Sequence, residues 1–411
     1  MQVSGKVPPA QGGFVERLHA MLAGAAIGLF GLAASATAQE GGIIGPGSAV
    51  VTGFSGFVTN EAPEGENPFD YVTVNGNGPS AVVIDMSSVG GQGELAPALK
   101  TFMVPAAQTG QVFGVALDNA PQPNIYLAAT SAYGLSIYLP DGTETIRRIR
   151  TGTVGAQFVP GQFGPPEFGG SPGSVWRVDG ATGEVVLFAQ IDAAAQGVAA
   201  VGGLAFDPVT QQIFVADRTS GIIHRFTLDG VEQGTYDHGV EGRPPAGLSP
   251  LPYTPGAPVD IGGPGFGTEK PAAWGFAAPA RRVFRLAVRN GRLYHSIAQG
   301  PQVWSVGIAP SGAVGGSPRL EVDVPALQDG MEIASIAFAG QGRMYLAERG
   351  ATTGDYELTD LADGGASRVL RYLPKPPGAP NPGNWRLDPE QYAIGMPAPL
   401  SKDQVTFDDG T

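Results

Sequence analysis

From residue 50 onward the chain is a succession of short apolar runs cut by turn residues, and the runs repeat. Four segments share an apolar-Ala-apolar core: Val115-Ala116-Leu117, Leu204-Ala205-Phe206, Leu286-Ala287-Val288 and Ile336-Ala337-Phe338. Each leads through a turn into a second run: Ile125–Ala129, Ile213–Asp217, Leu293–Ile297 and Met344–Glu348. An aromatic stands at the second position of every one. After a variable gap a third run follows, Val175–Val178, Ile223–Phe226, Val303–Val306 and Val369–Tyr372. Short β-branched and aromatic runs bounded by Gly, Pro, Asn and Asp read as strands, and Asp179-Gly180 and Asp229-Gly230 supply hairpin chemistry.

The small central residue of the first run has a physical reading. Sheets fanned about an axis leave least room at their innermost strand, so the pattern predicts an all-β fold, a β-propeller. The alanines Ala116, Ala205, Ala287 and Ala337 are 89, 82 and 50 residues apart, against about 40–50 residues per blade. The excess falls at 131–172, at 240–280 and, to a smaller extent, at 350–366. In an up-and-down blade these connections leave by one face, so all three insertions are expected on one rim. Ser80–Met86 and Leu99–Pro105, with Val50–Val58, predict an N-terminal blade; Trp385–Ile394 closes the fifth visible unit, and Val405-Thr406-Phe407 begins or closes another. The expectation is six blades, with five or seven as alternatives. The propeller spans 50–398, after a flexible segment 39–49 and before a tail or closing strand 399–411. The abrupt end at Asp408-Asp409-Gly410-Thr411 leaves open that the chain is a fragment of something longer.

The unit Gly203-Leu204-Ala205-Phe206-Asp207, then Ile213-Phe214-Val215-Ala216-Asp217-Arg218, then Gly221-Ile222-Ile223-His224-Arg225-Phe226, resembles an NHL or SMP-30-type propeller repeat. Three other units resemble it less closely. An SMP-30 resemblance implies a divalent cation at the channel mouth, held by a Glu, Asn and Asp set, and with it hydrolase or lactonase activity. The Asp that commonly ends strand two in such repeats is Asp217 here, but Ala129, Ile297 and Glu348 in the other units.

Composition narrows the classes. The 411 residues include 63 glycines, 37 prolines and no cysteine, so disulfides, thiolate metal sites and cysteine nucleophiles are excluded. Only 15 % of residues are charged, which argues against coiled coils, while 42 % are hydrophobic, enough for a real core. A net charge of −13 disfavours nucleic acid as a partner. Lys6, Arg17 and His19 precede the apolar run Ala20–Ala34 and an Ala36-Thr37-Ala38 exit, which reads as a signal peptide over 1–38. An uncleaved anchor is the alternative, although the run is short of the roughly 20 residues of a membrane span. No later segment is long and apolar enough to cross a membrane, so the expected address is periplasmic or secreted.

Candidate chemistry is sparse: there is no G-x-S-x-G elbow and no assembled Ser-His-Asp set. Asp217 and Glu348 end second strands on the insertion side, near Asp355, Glu357, Asp360 and Asp363. Such oxygens suit Ca or Mg, or form a solvated acidic loop. His238, where a fourth strand enters the long insertion, is the candidate ligand-binding histidine, or else a loop residue, whereas His224 and His295 fall in packing columns. Arg281, Arg282, Arg285, Arg289 and Arg292 form a cluster in which Arg285 and Arg289 either line the channel and bind an anionic group or pair internally. Arg147, Arg148 and Arg150 flank an insertion hairpin. The aromatics Phe158, Phe163, Phe168, Tyr253, Phe266, Trp274 and Phe276 make either a ligand or sugar platform or pegs that hold the insertions down. The first functional expectation is a binding or scaffolding module at the cell envelope, taking a protein, glycan or small-molecule ligand. The alternatives are an SMP-30-like divalent-metal-dependent hydrolase or lactonase, and a carbohydrate-binding module.

Overall fold

A computed structural model describes residues 42–87, 99–132, 136–143, 145–191, 200–254, 259–354, 362–363, 367–376, 384–388 and 393–394. The signal-peptide segment, Asp355, Glu357, Asp360 and the run Val405-Thr406-Phe407 lie outside them. The first sheet orders β1 (Ser48–Thr52), β4 (Pro79–Asp85) and β5 (Leu99–Pro105), with a hairpin of β2 (Phe57–Thr59) and β3 (Val72–Val74) inserted after β1. A helical turn, α1 (Ala106–Thr109), leads to the second sheet, made of β6 (Val112–Leu117), β7 (Ile125–Ala129), β11 (Ser174–Val178) and β12 (Val185–Gln190). Between β7 and β11, the strands β8 (Ile137–Tyr138), β9 (Arg148–Ile149) and β10 (Gln157–Phe158) form a small sheet of their own.

The third sheet is a meander of β13 (Val201–Asp207), β14 (Gln212–Asp217), β15 (Ile222–Thr227) and β16 (Glu232–Asp237). The fourth repeats it with β17 (Val283–Arg289), β18 (Arg292–Ile297), β19 (Gln302–Ile308) and β20 (Val314–Asp323). The fifth holds β21 (Glu332–Phe338), β22 (Met344–Arg349), β23 (Arg368–Pro374) and β24 (Trp385–Leu387), and β25 (Ala393–Ile394) also pairs with β23. All pairings are antiparallel. The alanine-centred triplets fall on β6, β13, β17 and β21, the first strand of each four-stranded meander. These strands lie against one another in succession, and β1 lies against β6. The apolar clusters form between neighbouring sheets, as when Val215 and Phe226 meet Tyr126 and Phe188, or Val283 and Trp304 meet Phe214 and Tyr236. Five sheets in this blade-like arrangement, the first with three strands, are present among the described residues.

What sets the spacing of the first strands is missing side chains. A Cβ on Gly114 of β6 would collide with the carbonyl of Gly202 on β13, and one on Gly202 would lie 2.6 Å from the carbonyl of Phe284 on β17. The backbones of three successive sheets therefore approach more closely than any side chain would permit.

The turns that join strands reuse one device. Asp179, Asp207 and Asp217 each accept from the backbone two residues on, at 2.9, 3.2 and 2.8 Å. Each carbonyl also accepts from the amide four residues on, where Gly183, Gln211 and Gly221 have φ of 76°, 53° and 73°. In the Asp179 turn it is thus Gly183 and not Gly180 that takes the left-handed conformation.

The insertions are bound to one another. Thr151 bridges Gly267, the Gly152 amide donates to the Phe266 carbonyl at 3.1 Å, and the Thr268 amide to the Arg150 carbonyl at 2.9 Å. Arg150 and Glu269 form an ion pair at 2.5 Å. Ile137, Phe266 and Trp274 build a joint core for the two segments. The third insertion reaches the same place, because Gly354 abuts Pro271 and Glu269.

Substituting Gly114→Ala or Gly202→Ala is expected to cost about 2–3 kcal/mol by overpacking. The control Gly265→Ala, where an added Cβ meets open space, should stay within about 0.5 kcal/mol. Urea unfolding followed by tryptophan fluorescence checks both.

Candidate functional site

Where the first strands begin and the second strands end, four charged side chains from separate parts of the chain meet. Glu332 opens β21 and sits opposite Arg349, the last residue of β22. Arg218 follows directly on β14, and Arg282 precedes β17. Glu332 accepts from Arg218 Nη2 at 2.7 Å through one oxygen and from Arg349 Nη2 at 2.5 Å through the other, with Arg282 Nη1 at 4.0 Å. Phe276, Phe284 and Phe113 form the apolar bed. The Arg218 guanidinium lies 4.3 Å from the Phe284 ring centre and 4.8 Å from that of Phe276. Phe284 in turn stacks on Phe113 of the second sheet at 5.0 Å, and Arg282 lies 5.2 Å from the Phe276 ring.

Three arginines surround Glu332, and its titration reflects their charge. Burial alone pushes the Glu332 carboxyl up, but the charges of Arg218 and Arg349 outweigh it and hold the group down at about 2. Arg282 is pushed down to about 10, by burial first and then by repulsion from Arg218. Arg218 is only 1 % exposed, and its Nε and Nη1 have no hydrogen-bond partner. Arg282 spends its Nε on the Ala277 carbonyl at 2.9 Å.

The second insertion puts Phe276 and Arg282 in place. Arg281 bolts it to the third sheet, donating to the Ser220 carbonyl at 2.8 Å, the Leu251 carbonyl at 2.6 Å and Asp237 at 2.9 Å. The Ala277 amide then donates to the Arg218 carbonyl at 2.9 Å. Two clefts flank the arrangement. One of about 320 Å³ runs between Leu251–Thr254 and Gly275–Ala278 and is bordered by Phe276 and Arg281. The other, of about 240 Å³, lies between Ala298–Pro301 and Gln328–Glu332, with Arg282 in its wall.

The residues expected from sequence are distributed differently. Asp217 accepts from the Thr219 amide at 2.8 Å, the Ser220 amide at 3.1 Å and the Ser220 hydroxyl, the same turn-forming work that Asp179 and Asp207 do. Glu348 is buried in another sheet and pairs with Arg368. Asp363 accepts from Gln328 at 2.8 Å. Among the described residues no group of three or more His, Asp or Glu could hold a metal ion; Asp355, Glu357 and Asp360 lie outside them. Arg289 is at the far end of β17 and stacks on Phe338 at 4.8 Å. Arg285 is half-buried, with its stem against Gly203. Trp274 is fully buried and donates to the Gly267 carbonyl at 3.1 Å, Phe163 and Phe266 are buried, and Phe168 is exposed. Of the expected ligand residues, Phe276 alone belongs to the arginine cluster.

His238 begins a single π-helical turn, His238–Gly242. Its Nδ1 is 3.2 Å from His295 Nε2, and both rings are buried beside Trp304 and Tyr236. Burial, then His295, Arg243 and Arg281, lower His238 to about 2, and burial lowers His295 to about 3. Two neutral rings sharing a proton brace the root of the second insertion.

Sequence reasoning overlooked Arg218, Arg349 and Glu332. A signal was present: Asp217-Arg218 and Glu348-Arg349 occupy the same column of two repeats, an acid followed by an arginine.

No protein-family model matches the chain, and no curated protein matches it. Solved structures do. The periplasmic gluconolactonase PpgL of Pseudomonas aeruginosa is 13% identical, over 82% of this chain and 81% of that one, with a TM-score of 0.38. A nidogen/laminin complex is 11% identical over 79% and 85%, with a TM-score of 0.37. A putative 6-phosphogluconolactonase of Bacteroides uniformis is 13% identical over 83% and 81%, with a TM-score of 0.34. Superposition this loose carries no argument about activity.

Because both histidines are neutral when folded, protonation favours the unfolded chain. Their contribution is complete above the ordinary histidine value of 6.5 and is lost as pH falls below it. Between pH 7.5 and 5 the loss should be about 2 kcal/mol per histidine. Denaturant titrations at the two pH values check this, and His238→Gln should reduce the pH dependence by about half.

Proposed function

We propose that the chain is an exported β-propeller that works as a binding module at the cell envelope, taking its ligand on the face that carries the insertions. One observation carries this reading: the two longer insertions are fastened together, with Gly354 against the second, beside an arginine-rich bed flanked by clefts of about 320 and 240 Å³. Pockets at the mouths and ends of β-architectures are common ligand sites, with mostly apolar walls and a few placed polar groups. The segment 1–38 supports export, by its basic start, short apolar run and small-residue exit. Six blades with a closed ring remain the architecture proposed for the whole chain. Among the described residues no helix is long and apolar enough to cross a membrane.

For the hydrolase alternative, the described residues hold no matching constellation: Asp217 is engaged by its own turn, and Glu348 is paired with Arg368 in a different sheet. The carbohydrate alternative lacks an open aromatic platform at Trp274 and Phe266, which are used to pin the insertions.

The full chain, purified from an envelope fraction, should retain small molecules that denaturation releases chemically unchanged. Recovery of nothing above a control protein would contradict the proposal. So would conversion of a lactone that is accelerated by Ca or Mg and abolished by Asp217→Ala.

A further inference from the structure

Among the described residues, Glu332 is the one carboxylate within 4.0 Å of Arg218 and Arg282. Three guanidinium groups share the single carboxylate of Glu332, in a chain whose overall charge is −13. Arg218 is the telling case. It is 1 % exposed, sandwiched by Phe276 and Phe284, and two of its three nitrogens donate to nothing among the described residues. A buried polar group without a partner is costly, so such groups mark places where a missing partner fits.

Arg282 and Glu332 both line the cleft of about 240 Å³, together with Gln299, Gln328 and exposed Asp329. That volume suits a small molecule rather than a polymer. Asp329 in the same lining opposes a second negative charge, so a ligand with one anionic end, held at Arg282, matches the lining best.

We propose that Arg218, Arg282 and Arg349 bind the anionic head of a small carboxylate- or phosphate-bearing molecule, which enters beside Arg282 and shares the arginines with Glu332. This rests on the reading of the chain as a ligand-binding module and names the class of ligand. Guanidinium groups hold carboxylate and phosphate through paired, charge-assisted hydrogen bonds, and Phe276 and Phe284 keep the Arg218 fork fixed in orientation. Glu332 acts as the internal competitor, so removing its charge should strengthen binding.

Sodium acetate and sodium phosphate are titrated separately into the full chain by calorimetry, against sodium chloride at matched ionic strength. Saturable heat from either anion is expected, and which one binds more tightly identifies the head group. Arg282→Gln should weaken that binding by about tenfold, while Glu332→Gln should tighten it by about tenfold. Circular dichroism at the same temperature confirms that each variant is folded. The proposal is overturned if the folded wild type and folded Glu332→Gln bind neither anion above chloride, or if Arg282→Gln binds as well as wild type. Recovery of an unmodified neutral ligand in the preceding experiment would also overturn the anion assignment, while leaving the binding-module reading standing.

Discussion

The close approach of the first strands governs the rest of this structure. β6, β13 and β17 lie backbone against backbone because Gly114 and Gly202 present no side chain where a neighbouring carbonyl sits. Sheets that converge this tightly can interdigitate larger residues only farther out, where Phe214, Trp304 and Tyr236 fill the wedges between them. Convergence also decides where chemistry can occur. Arg218, Arg282, Glu332 and Arg349 come from separate strand ends, yet meet in one small area.

At that area the local rule is electrostatic. Arg349 faces Glu332 because β21 and β22 pair in a register that places them opposite each other. Arg218 arrives from a different sheet and Arg282 from the base of an insertion. Glu332 then bridges Arg218 and Arg349, as buried ions do when they are retained for specificity rather than for net stability. The stacked Phe113 and Phe284 rings close off the space beneath and lower the local dielectric, which strengthens every charge interaction above them.

Much of the fold was legible in sequence. The triplets around Ala116, Ala205, Ala287 and Ala337 mark the first strands because steric room is a local property, and the second and third runs are found where period and composition place them. The site was less legible. Arg285 and Arg289 drew attention through alternation on one strand, but which arginine meets a carboxylate depends on pairing between sheets, which no local pattern encodes. Asp217, a candidate ligand by its place at the end of a second strand, accepts in its turn the hydrogen bonds that Asp179 and Asp207 accept in theirs. The insertion aromatics had two readings of equal weight; the structure places Trp274, Phe266 and Phe163 in packing positions, because long Gly- and Pro-rich segments need a core of their own.

The central claim is that convergence of the sheets brings Arg218 and Glu332, 114 residues apart in sequence, into one buried ion pair. A double-mutant cycle with Arg218→Ala and Glu332→Ala, read by equilibrium unfolding, tests it most directly. The account predicts a coupling energy above about 1 kcal/mol. Effects that add to within about 0.5 kcal/mol would contradict it.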